Sequence, residues 1–93
     1  VAEAGPKQKE VEDARLRLAE AREEQKTLEK DLARLRDDAK AIGDRGPLTQ
    51  PLVTRIVAAE DRIGVVRKRV DDLEKDLKKR VDVVRTVLAR LGH

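Results

Sequence analysis

The sequence has no cysteine, methionine, tryptophan, tyrosine or phenylalanine, and it also lacks serine and asparagine. Each absence removes a class of chemistry. Without cysteine there is no disulfide framework, no thiol nucleophile and no thiolate metal site. The one histidine is His93, the last residue, so neither a histidine metal cluster nor a Ser-His-Asp arrangement can form. Without aromatic rings there is no platform for stacking bases and no cage for a cation. No run of about eighteen apolar residues is present, so no membrane-spanning helix is expected. No targeting segment is visible, and the chain is expected to be soluble. The first residue is Val1 rather than Met, from which the chain is expected to be a piece of a longer protein.

What remains is charge and plain aliphatics. Of 93 residues, 44% are Asp, Glu, Lys or Arg and 39% are apolar, the latter all Ala, Val, Leu or Ile. That composition marks either disorder or a long coiled helix, and periodicity separates the two. The net charge of +3 is small beside 22 basic and 19 acidic groups. It is unevenly spread: residues 1–46 carry 11 basic and 12 acidic groups, residues 47–93 carry 11 and 7.

The chain is punctuated at three places. Gly5-Pro6 suits a helix entrance, with Pro6 as a first helical residue. The stretch Gly43-Asp44-Arg45-Gly46-Pro47-Leu48-Thr49-Gln50-Pro51 breaks the middle, with Gly43 fit to end one helix and Thr49 to cap the next. Gly92 closes the far end. The expected organisation is a tail over 1–5, helix 1 over 6–42, a loop over 43–49, helix 2 over 50–91 and a tail over 92–93, in one domain.

Between these breaks apolar residues recur in steps of three and four. In helix 1 they are Val11, Ala14, Leu18, Ala21, Leu28, Leu32, Leu35, Ala39 and Ile42, with Gln25 as the single polar member of the row. In helix 2 the row runs Leu52, Ile56, Ala59, Ile63, Val66, Val70, Leu73, Leu77, Val84, Val87 and Leu91, broken by Arg80. Sustained heptads of this kind argue for coiled coil. A short loop makes neighbouring helices antiparallel. The expected fold is therefore all-α, an antiparallel two-helix coiled-coil hairpin with the capacity to pair into a four-helix bundle. Acid-before-base pairs at i,i+4, such as Glu74 to Lys78 and Asp76 to Arg80, support the helices.

Function has to be sought on the surface. Helix 2 carries more apolar residues than one seam needs: Val53 and Val57 near the loop, and Val81, Val83 and Leu88 near the C-terminus. These are the candidate interaction residues, since extra apolar positions beside a seam are what three- and four-helix bundles show. Gln25 and Arg80 are candidate register-specifying residues, because a lone polar group on a seam can fix pairing; Arg80 has Glu10 or Asp13 within reach across the seam. Arg45 and Leu48 are candidates for a contact at the loop tip. The basic clusters Arg67-Lys68-Arg69 and Lys78-Lys79-Arg80 lie among acids and spread over different helix faces, as a solvated face does. Asp37-Asp38 and Asp71-Asp72 diverge by about 100° on a helix, so no converging carboxylates for acid–base or metal chemistry are expected. No catalytic residue, cofactor or metal is assigned.

The stretch from Leu32 through Ala41-Ile42-Gly43 to Leu48, followed by Leu52 to Ile63 with its Glu60-Asp61-Arg62 step and then a heptad helix, resembles the C-terminal helical hairpin of the DUF4139, or mucoidy-inhibitor-like, bacterial proteins. The resemblance implies a bacterial source, a helical hairpin ahead of which β-rich parts stand in the longer protein, and no catalytic motif. The expected function is a non-enzymatic coiled-coil spacer or protein–protein interaction and oligomerisation module, with a protein partner or a second copy in a homodimer. The alternative is a helical arm that binds nucleic acid or an anionic membrane through the basic excess of helix 2. No small-molecule substrate is expected.

Overall fold

The computed structural model describes residues 4–43, 46 and 49–92. It contains two helices, α1 (Ala4–Ile42) and α2 (Thr49–Leu91), and is an all-α helical hairpin. α1 is rich in Ala, Leu, Glu, Lys and Arg, and α2 in Leu, Lys and Arg, all of which lose little on entering a helix. α2 holds many valines, whose branched side chains are weaker helix formers, so it leans more on burial of its apolar face. Basic residues sit in the last turn of each helix, Lys40 and Arg90, where they complement the negative end of the helix dipole.

The helix ends differ slightly from expectation. α1 begins at Ala4 rather than Pro6, which places Pro6 third in the helix. The first four N–H groups of a helix have no internal acceptor, so a proline there forfeits nothing. α2 begins at Thr49, with Pro51 likewise third. Gly43 ends α1 with φ of +70°, the left-handed conformation that favours glycine. The Thr49 hydroxyl does not cap its own helix in the expected way. It donates to the Gly43 carbonyl at 3.2 Å, and the Thr49 amide donates to the Gly46 carbonyl at 3.2 Å. Thr49 thus ties the start of α2 to the end of α1. Arg45 and Leu48, the expected loop-tip contacts, lie outside the described residues.

The chain divides into two compact units. The loop unit spans Glu23–Lys68 and holds the second half of α1, the turn and the first half of α2. Its core is Leu32, Leu52, Ile63 and Val66, and Val66 is only 1% exposed. The terminal unit joins α1 up to Arg22 with α2 from Arg69. Its core is Val11, Ala14, Leu18, Ala21, Val70 and Val87.

The heptad row matches the burial in both units. Every described seam residue is buried or half-buried save Leu91, which is 53% exposed. The first turns of α1, from Ala4 to Glu10, offer no large aliphatic residue to cover it. Half-burial of Leu28, Leu35, Leu73 and Leu77 is what two helices alone can achieve, since each shields the other from one side only.

Candidate interaction site

Counting Val11 as position a of a heptad puts the residues beside the seam in two rows on each helix. In antiparallel coils, e faces e and g faces g. The polar contacts between α1 and α2 follow this rule. In the loop unit, Arg36 Nη2 donates to Glu60 Oε1 at 2.9 Å and Arg67 Nη2 to Glu29 Oε1 at 3.1 Å, both e to e. Arg62 Nη2 donates to Glu24 Oε1 at 2.6 Å, g to g. In the terminal unit, Arg22 Nη2 donates to Glu74 Oε1 at 3.0 Å, again e to e. Glu74 thereby turns to the other helix rather than to Lys78. All four pairs are exposed, so each adds little stability on its own. Their effect is on register. A slip of one heptad in the loop unit would set Glu29 opposite Glu60 or Arg36 opposite Arg67, and like charges face to face disfavour it.

Glu29 accepts a second bond on the same oxygen, from Gln25 Nε2 at 3.1 Å. Gln25 therefore bonds along its own helix, not across the seam. The Gln25 and Arg67 donors hold the Glu29 carboxyl below the ordinary glutamate range. A carboxyl lowered on folding adds stability above its unfolded value and loses it as pH falls through the folded value. Glu29→Gln should therefore melt lower than the parent at pH 7, and the gap should close in acid. Paired thermal melts at pH 7 and pH 3 check this; a gap that persists at pH 3 would point to lost packing instead.

Arg80, the other polar seam residue, lies 34% exposed between two acids. Its Nε donates to Asp76 Oδ2 at 2.8 Å on the same helix, and its Nη1 is 3.4 Å from Glu10 Oε2 on α1. The Asp76 bond and charge, aided by Glu10, raise its already high pKa. Glu10 and Asp76 occupy g positions, where their charges would repel; the seam guanidinium stands between them.

The candidate apolar residues fall into separate places. Val53 and Val57 are exposed on α2 of the loop unit. Val83 is exposed on the g flank of the terminal unit, in a groove with Lys7, Glu10 and Val87. Val81 and Leu88 lie on the opposite, e flank. Val81 is half-buried in a groove with Val11 and Val84, rimmed by Gln8, Glu12, Arg15 and Arg85, while Leu88 is 45% exposed. Val83 and Leu88 thus do not form one patch. Val65 and Leu16, exposed on outward positions, are isolated aliphatics of the kind common on any surface.

Among the described residues no polar or charged side chain is buried, and no group of three or more His, Cys, Asp or Glu could hold a metal ion. Nor is any helix among them long and apolar enough to cross a membrane. Asp37, Asp38, Asp71 and Asp72 all face solvent. No family model, curated protein or solved structure matches the chain.

Proposed function

We propose that the chain is a non-enzymatic spacer and protein–protein interaction module, with its contact surface where α1 begins and α2 ends. The observation that supports this is the surplus of α2 in the terminal unit: beside the seam, Val83 and Leu88 stay exposed and Val81 is only half-buried. In an isolated two-helix coil such flanking positions are polar, and in the loop unit two α2 e positions, Glu60 and Arg67, are. The seam gives the module its stiffness, and the e and g charges its register. The likeness of Leu32–Ile63 to the hairpin of DUF4139 proteins fits the same reading, as an arm of a longer protein.

The alternative of a nucleic-acid or anionic-membrane arm has less support. Arg62, Arg67 and Arg80 are engaged by Glu24, Glu29 and Asp76, so these three guanidiniums are not free to meet a phosphate. The test is site-specific photo-crosslinking in cells that make the protein. A crosslinker at Leu88 should yield a discrete protein adduct and one at Lys30, on the outward face of α1, should not. Equal adducts at both positions, or none at either, would overturn the proposal.

A further inference from the structure

We infer that the e-flank groove of the terminal unit takes a single amphipathic helix with an aliphatic stripe and acidic flanks, supplied by a different protein. This rests on the interaction-module reading above and names the chemistry of its partner. The groove has a defined inner limit, the Arg22–Glu74 pair at 3.0 Å. Beyond that pair, the next two e positions of α2 are Val81 and Leu88, and the e positions of α1 that face them are Arg15 and Gln8. The alternation of opposite charges stops there. Val81 joins Val11 and Val84 as an apolar floor, and Leu88 extends the row by two helical turns. A seam widened on one side by e-position aliphatics is the surface that a third helix packs on.

The rim decides which helix. Arg15 of α1 and Arg85 of α2 border the floor, against one carboxylate, Glu12. Neither of these two cations is in an ion pair among the described residues. A second copy would bring the same two cations and one carboxylate against them, and like charges across an interface oppose association. A helix with Glu or Asp on both sides of its Leu or Ile stripe would instead neutralise Arg15 on one side and Arg85 on the other.

The probe is a synthetic three-heptad peptide with Leu at a and d and Glu at e and g, compared with a twin bearing Lys at e and g. Like-charged flanks keep each peptide from pairing with itself. The Glu peptide should bind at least about tenfold more tightly in low salt, by calorimetry or fluorescence anisotropy. The preference should shrink in 1 M salt, where charges more than about 3 Å apart are screened. Val81→Glu with Leu88→Glu should abolish binding. Arg15→Glu with Arg85→Glu alters only rim charges, so it should leave the fold intact and turn the preference toward the Lys peptide. Equal affinity for both peptides, binding by neither, or binding that survives Val81→Glu with Leu88→Glu would overturn the inference. So would a mass that doubles with concentration for the chain alone and reverts in that variant, since a second copy would then fill the groove. If the peptides fail while a crosslinker at Leu88 still captures a protein, the partner chemistry is wrong and the interaction module stands.

Discussion

Replacing Ile63 by alanine should lower stability by about 2–3 kcal/mol, the low part of the range for buried aliphatic truncations. Ile63 is 4% exposed and belongs to the small core of the loop unit with Leu32, Leu52 and Val66. The loss combines transfer of the removed carbons with a cavity term. The cavity term is moderated here, because a two-helix seam lies near solvent and can close inward. Even so, that loss is a large share of the roughly 5–15 kcal/mol that holds a typical domain together. Val65, two residues on and 59% exposed, makes the matched control. Val65→Ala should change stability by no more than about 0.5 kcal/mol. Urea titrations followed by circular dichroism measure both: Ile63→Ala should move the midpoint with little change in slope, and Val65→Ala should move neither. Similar losses at the two positions would mean that the seam in this unit does not run through Ile63.

The contrast between Ile63 and Val65 is also where the sequence is most readable. Both are β-branched aliphatics on one helix, and only position in the heptad tells them apart. A period of three and four steps is a property of single residues counted along one chain, so the seam could be read without coordinates. Gly43 was equally legible, because few other residues end a helix in the left-handed conformation that it adopts. Register was harder. The seam is aliphatic along most of its length, so sliding one helix by a heptad keeps it buried. The information sits in the e positions instead, where Glu29 and Arg36 of α1 meet Arg67 and Glu60 of α2. That alternation is present in the sequence and shows only when both helices are counted in opposite directions. Thr49 shows a different obstacle. Its hydroxyl could cap its own helix or bond to the preceding one, and the choice depends on a loop conformation that no local pattern dictates. The candidate site was half legible for the same reason as the register. The surplus valines and leucines of α2 were visible, but their division between the e flank of Val81 and Leu88 and the g flank of Val83 required the facing residues of α1.

Gly64→Ala should raise stability by about 1 kcal/mol, a gain of roughly 4–8 °C in Tm for a chain of this size. Gly64 lies in the middle of α2 and is exposed. A methyl group built on it meets nothing within 4 Å. No close approach of α1 therefore requires the glycine, and its backbone is not in the left-handed region. Alanine would lose less conformational entropy on folding and would leave the helix geometry as it is. Gly43 is the opposite case. It too has open space around a built Cβ, but its φ of +70° disfavours any side chain. Gly43→Ala should cost about 1 kcal/mol or more. Thermal melts of the two single variants give a sharp check, because the same chemical change is expected to act with opposite signs. A Gly64→Ala variant that melts lower than the parent would show that something approaches α2 at that point in solution. The groove lined by Ala33, Gly64 and the Arg36–Glu60 and Arg67–Glu29 pairs would then be the place to look for it.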